Sequence, residues 1–185
     1  MLYTTDFAAM DGIDVSGAHV AVLGAGGAAR SVIDALGRSG AASIAVINRT
    51  PDRAESAAAL ASMASVGRLD DIERAEVVVN ASSVGMGVDP AVRTDDDLPC
   101  DPALLSPNQV VVDLVYHPLQ TAWLTGAALV GARTVDGLGM LIHQAALQQL
   151  AWLGRLPDVA VMRRAAEQAL VDRQSSQPRP AGAGR

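Results

Sequence analysis

The residues best suited to chemistry in this chain are six small ones in a row. Gly24-Ala25-Gly26-Gly27-Ala28-Ala29 follows the apolar run His19–Leu23 and opens a stretch of helical character. The spacing is that of a loop that wraps a diphosphate, with alanine in the last glycine position. Gly24 allows a tight turn from strand to helix, and Gly26 removes a side chain where a phosphate must approach the backbone. Ala29 is small enough for helix and strand to pack closely. The free N–H groups and positive dipole end of the helix would then face the anion. A plain glycine turn between two packed elements would look similar. The clean strand before the motif, the helix after it and the length of the unit favour the phosphate loop.

A second chemical signal stands one strand further on. In dinucleotide sites that take NAD, an Asp or Glu near the end of the second strand accepts from the ribose 2′-hydroxyl. Here that strand ends in Asn48-Arg49-Thr50, with Arg53 following. A 2′-phosphate wants guanidinium groups, and a carboxylate would repel it. Two solvated arginines at a helix start are the bland alternative. Cations there oppose the helix dipole, an arrangement easier to explain with an anion between them. The pattern therefore favours NADP over NAD.

Other chemistry is poorly supplied. None of the 185 residues is lysine, so neither a lysine base nor a Schiff base is available within them. Cys100 is the single cysteine, which precludes an internal disulfide and reads as an incidental buried thiol. His19, His117 and His143 are scattered and have no cysteine cluster beside them, so no metal site is expected. The net charge of −6 argues against nucleic acid as a partner. No apolar run is long enough to cross a membrane and no leader is evident, so a cytoplasmic location is expected.

These residues require a scaffold, and the hydrophobic pattern provides one. Strands are expected at His19–Leu23, Ser43–Ile47, Val77–Val79, Val110–Leu114 and Arg133–Val135. Helices are expected from Ala28 to Leu36, from Pro51 to about Ala64 with Thr50 as N-cap, and from about Thr121. Two more are expected from Gly137 to about Trp152 and from Pro157 to Val171, with a short helical turn near Leu69–Arg74. The near-continuous apolar strands alternate with helices, which implies an α/β Rossmann-type doubly wound parallel sheet buried on both faces. Residues 1–17 read as a lead-in, 18–173 as the nucleotide-binding domain with its C-terminal helices, and 174–185 as a disordered tail.

Five motifs occur in order: Gly24 to Arg30; Asn48-Arg49-Thr50 with Arg53-Ala54-Glu55; Asn80-Ala81-Ser82-Ser83-Val84-Gly85-Met86; Asp113-Leu114-Val115-Tyr116; and Gly137-Leu138-Gly139-Met140-Leu141 with Gln144. Together they resemble the C-terminal, NADP-binding half of shikimate dehydrogenases, over roughly residues 15–155. The resemblance implies that Gly24, Ala25, Gly26, Gly27 and Ala28 hold the pyrophosphate. It gives the adenosine ribose and its 2′-phosphate to Asn48, Arg49, Thr50 and Arg53. Ser82 and Leu114 would lie near the cofactor, Gly137 and Met140 near the nicotinamide. Tyr116 and Gln144 would face a shikimate-like polyol acid, which both can hydrogen-bond. Taken singly, Tyr116 also reads as a half-buried core residue, Met140 as a core filler and Gln144 as a solvated helix position.

The resemblance also implies a separate N-terminal domain that binds most of the substrate and brings a catalytic lysine and a serine pair. That domain is expected to be absent here. An aspartate in an Asn-Thr-Asp-Gly signature would precede the nucleotide domain, and Asp6 in Thr4-Thr5-Asp6-Phe7 is either its relic or an ordinary lead-in carboxylate. Three readings stay open: an NADP-dependent oxidoreductase of the aromatic amino-acid pathway, truncated or assembled from two chains; an NADP-holding module without catalysis; and a fragment that folds but has lost its role. A cleft face built to meet another domain would lead to a homodimer or to a partner substrate domain, whereas a true stand-alone module would be monodisperse.

Overall fold

A computed structural model describes residues 12–89 and 94–176, with side chains as far as 172. Six strands form one sheet in the order β3-β2-β1-β4-β5-β6: β1 is His19–Leu23, β2 Ser43–Ile47, β3 Ala64–Val66, β4 Val77–Asn80, β5 Val110–Asp113 and β6 Arg133–Val135. Every pairing is parallel. The chain winds outward from β1 to β3, then returns to β4 and winds the other way. All carboxyl ends lie on one edge, and the reversal between β1 and β4 opens a crevice there.

Both faces of the sheet are covered, and the strands supply both by simple alternation. Val20, Val22, Ile44, Val46, Val77 and Val79 enter one core with the apolar stripe of α1 (Gly27–Arg38) and the alanines of α2 (Pro51–Ala58). Ala21, Leu23, Val78 and Val111 enter the other with Ile72, Trp123, Leu124 and Ala127. Trp123, Leu124 and Ala127 come from α3 (Ala122–Leu129). The lead-in contributes as well: Ile13 and Val15 are buried in the first core. The small alanine side chains let α2 lie close on the sheet.

The elements depart from the sequence reading in three places. The expected second helix ends at Ala58 rather than near Ala64, and Ala64–Val66 forms the edge strand β3. The stretch is alanine-rich and reads as helix, but pairing with β2 outweighs local propensity. Gly67 closes that strand where a Cβ would come within 2.7 Å of the Ala45 Cβ. Helix α4 spans Leu138–Leu153, with Gly137 as its N-cap residue and Gly154 ending it in the left-handed conformation. Helix α5 starts at Val159 and runs to Ser176. Its start is set by Asp158, whose carboxylate accepts from the backbone N–H groups of Ala160 and Val161.

Candidate nucleotide site at the carboxyl edge

The glycine loop sits where the crevice begins. Gly24 has φ 118°, a conformation that side-chain-bearing residues rarely adopt, and a Cβ there would lie 3.0 Å from the Ala81 carbonyl group. The Ala81–Ser82 peptide after β4 is thus packed directly against the turn after β1. Gly26 is the N-cap residue of α1 and offers no side-chain cap. The first turn of α1 carries no acidic residue, so its N–H groups and positive end remain for an anion.

Beside the loop lies an open cleft of about 350 Å³, lined by Ala25, Gly26, Gly27, Arg30, Asp52, Arg53 and Ser56. This brings two separately expected groups, the glycine loop and Arg53, to one surface. Asn48, Arg49 and Thr50 connect β2 to α2. Asn48 is half-buried and its amide donates to the Thr50 carbonyl at 3.0 Å, which shapes the turn. Thr50 is the N-cap residue of α2, but its hydroxyl makes no cap bond; Pro51 follows at the first helical position as expected. Arg49 and Arg53 are exposed and form no ion pair among the described residues.

Three cleft residues escaped the sequence reading. Arg30 donates from one guanidinium nitrogen to both the Ser56 carbonyl and the Ser56 hydroxyl, each at 3.1 Å, and so ties α1 to α2. Arg30 ends the glycine motif, and its position one helical turn into α1 was the available signal. Asp52 also lines the cleft; it answers the dipole of α2 but opposes a phosphate.

The other side of the crevice is built differently. Asn80 and Asp113 end β4 and β5 in register, and both are buried. The Asn80 amide donates to Asp113 Oδ1 at 2.8 Å and to the Val84 carbonyl at 3.3 Å. Its oxygen accepts from the Ser82 N–H at 3.1 Å and the Ser82 hydroxyl at 2.7 Å. Asp113 Oδ1 also accepts from the Val115 N–H at 3.0 Å, and Oδ2 from the Thr121 hydroxyl at 2.8 Å. Thr121 Oγ1 in turn caps α3 by accepting from the Leu124 N–H. Burial pushes the Asp113 carboxyl above the usual carboxylate range, and its bonds from Val115, Thr121 and Asn80 oppose that rise. The motifs holding Asn80, Ser82 and Asp113 were visible in the sequence, but not their bonding to one another or to Thr121, eight residues after Asp113.

Gly137 meets this network from the far side. A Cβ on it would lie 2.6 Å from the Val115 carbonyl oxygen and closer still to that of Leu114, so only glycine fits. Leu114 is buried, and Met140 is partly buried against the first core. Asp136 caps α4 by accepting from the Leu138 N–H at 2.9 Å, and its second oxygen pairs with Arg163 of α5 at 3.3 Å. Tyr116 is exposed on the loop after β5, and Gln144 is half-buried on α4. Neither side chain makes a hydrogen bond with the described residues, so both are free to meet a ligand. Asp6 lies outside the described residues.

Cys100 is buried in the second core. Burial pushes its thiol up to about 11, with the Trp123 indole opposing and the Asp101 charge adding to the rise, so it is no nucleophile. His19 meets the Ser43 hydroxyl at 2.8 Å at the opposite, amino end of the sheet. No helix among the described residues is long and apolar enough to cross a membrane.

Comparison with known proteins bears on the family and the fold. The family described as "Shikimate / quinate 5-dehydrogenase" matches residues 6–88, and the "Shikimate 5'-dehydrogenase C-terminal domain" matches residues 137–167. The shikimate dehydrogenase (NADP(+)) of Moorella thermoacetica is 41% identical over 170 residues, which is 86% of this chain and 56% of that protein. That of Pyrococcus abyssi is 40% identical over 155 residues, 82% of this chain and 54% of its own. Among solved structures, a shikimate dehydrogenase in complex with NADP+ superposes with TM-score 0.78 at 31% identity, over 90% of this chain and 59% of that one. The Thermus thermophilus enzyme in complex with NADP(H) and shikimate does so with TM-score 0.74 at 38% identity, over 86% and 57%. A 5-ketofructose reductase of Gluconobacter matches with TM-score 0.72 at 34% identity, over 85% and 58%. The chain thus spans just over half the length of the curated relatives it matches.

Proposed function

The chain belongs to the shikimate dehydrogenase family, and from that premise we propose that it is the NADP(H)-holding half of an oxidoreductase acting on a shikimate-like polyol acid. The observation that carries the proposal is the joint placement of an uncapped, carboxylate-free helix N-terminus and Arg53 on one cleft, with Arg49 close by in sequence. That cleft suits a pyrophosphate at Gly24–Ala28 and a 2′-phosphate between the two guanidinium groups. Asn48 and Thr50 shape the turn that presents them. Bound there, the nicotinamide ring would exchange a hydride with the carbon bearing the substrate hydroxyl, whose proton passes to or from a base.

The remaining roles belong to this chain's own groups. The Ala81–Ser82 and Leu114–Val115 segments with Gly137 form the walls against which a flat ring would lie, and Met140 adds an apolar edge. Tyr116 and Gln144 orient the substrate's hydroxyl or carboxylate by hydrogen bonding. The base is the open element. The resemblance implies a lysine in this role and none occurs among the 185 residues, which leaves Asp6 as the one group within this chain that the resemblance offers, with a group brought by a companion domain as the other candidate.

That gap favours a second reading, in which the chain binds nucleotide alone and turns over substrate only with a companion substrate domain. Exposed apolar side chains on and beyond α4, among them Leu141, Trp152, Leu153 and Leu156, support a covering partner. Incubation with shikimate and NADP⁺, with NADPH formation followed by absorbance, tests the first reading. NADPH titration tests both. Binding without turnover leaves the companion-dependent reading, and absence of binding in a folded preparation removes both.

A further inference from the structure

Among the described residues, the nucleotide reading leaves one buried carboxyl group without a role. We propose that Asp113 is the positioning residue for the nicotinamide half of the site; the proposal rests on the nucleotide reading above. Asp113 does not line the cleft, and its hydrogen bonds go to Asn80, Val115 and Thr121 rather than to the adenosine side. It sits at the centre of a hydrogen-bonded chain that crosses the carboxyl edge from Thr121 through Asp113 and Asn80 to Ser82.

The bond inventory shows how it acts. Asn80 is held in one orientation, because turning its amide over would set its oxygen against Asp113 and its N–H groups against the Ser82 donors. That orientation fixes the Ser82 N–H, and with it the Ala81–Ser82 peptide that packs on Gly24. The Ser82 hydroxyl gives its proton to Asn80 and accepts from the Val84 N–H at 3.2 Å, so it keeps no proton for a ligand. On its other side Asp113 holds the Val115 N–H, and therefore the Leu114 and Val115 carbonyls that press on Gly137. One carboxylate sets both walls between which the ring would lie. The residues assigned to the adenosine ribose and its 2′-phosphate, Asn48, Arg49, Thr50 and Arg53, take part in none of these bonds.

The test separates the two ends of the nucleotide. Calorimetric titration with NADPH and with adenosine 2′,5′-bisphosphate reads both halves and the adenosine half respectively. Asp113→Ala leaves three donors without their acceptor, so NADPH should bind about tenfold more weakly while the bisphosphate changes less than about twofold. Asp113→Asn keeps an acceptor for Asn80 and Val115 and should restore NADPH binding to near the parent value. Where Asp113→Ala does not fold, Thr121→Val removes a single bond to the carboxylate and should give a smaller loss with the same preference for NADPH. General damage would weaken both ligands equally or lower the bound fraction of both, and that result overturns the proposal. So does unchanged NADPH binding in the alanine variant. If the parent protein binds neither ligand, the nucleotide reading itself fails, a result visible before any variant is made.

Discussion

The two sides of the crevice use opposite means. Around Gly24 and Arg53 the surface is open, the donors are backbone N–H groups, and the cations Arg49 and Arg53 stand exposed without anionic partners among the described residues. Around Asn80 and Asp113 the polar groups are buried and bonded to one another, and little is left over for a ligand. On the proposed function the first side would recognise a charge, which needs exposed opposite charge and a helix end. The second side would set a shape, which needs walls that do not move. A charge reader tolerates motion in its side chains; a shape reader does not, and it invests in buried bonds instead.

The sharpest way to break the contrast is to disturb the rigid side sterically. Gly137→Ala drives a methyl group into the Leu114 and Val115 carbonyls and should cost about 3 kcal/mol of stability in urea titration, at the upper end of overpacking effects. A loss below 1 kcal/mol would mean that this wall yields. Next comes a charge deletion on the open side. Arg49→Ala should weaken NADPH binding by about tenfold or more, the worth of a charged hydrogen bond, while leaving the protein's melting temperature within a degree or so. NADH affinity should hardly change, and equal loss for NADH and NADPH would show that Arg49 does not read the 2′-phosphate.

A smaller effect separates the two sides by pH. The Asp113 carboxyl is raised in the folded protein, so its contribution to stability is complete below the ordinary carboxylate range and is lost as pH rises through the folded value. Asp113→Asn should remove that dependence. The variant should gain on the parent as pH rises from 4 toward 7, as urea midpoints would show; a gain that grows toward acid would refute the sign. The least effect is expected at Asp52, a carboxylate on the anion cleft. Asp52→Asn should tighten NADPH binding about twofold at low salt, and the gain should fade as salt rises. Looser binding would assign Asp52 a direct bond to the nucleotide.

The open side was legible in the sequence because its chemistry is local. A glycine loop and an arginine pair are each read within a few residues, and strand, turn and helix follow from the same stretch. The parallel sheet was legible for a similar reason, through apolar runs too continuous for a half-exposed strand. The buried side was not, because Asn80 and Asp113 lie 33 positions apart and meet only when β4 and β5 pair. The motif containing Asp113 stood in plain view, but its role is a relation between elements. Strand β3 was missed for a related reason: its three residues carry little strand signal of their own, and only their pairing with β2 makes Ala64–Val66 a strand.

Helix α5 deserves separate thought because of how it is attached. It packs on α4, and none of residues 159–172 is fully buried. The Arg163–Asp136 pair ties it to the segment before α4. Such a helix can detach without the sheet opening, so its amides should exchange with solvent well ahead of those in β1 and β4. Asp136 holds Arg163 with one oxygen and the first turn of α4 with the other, one residue from Gly137. Detachment of α5 is therefore felt at the wall of the crevice as the loss of one anchor, and whatever clamps α5 down steadies that wall.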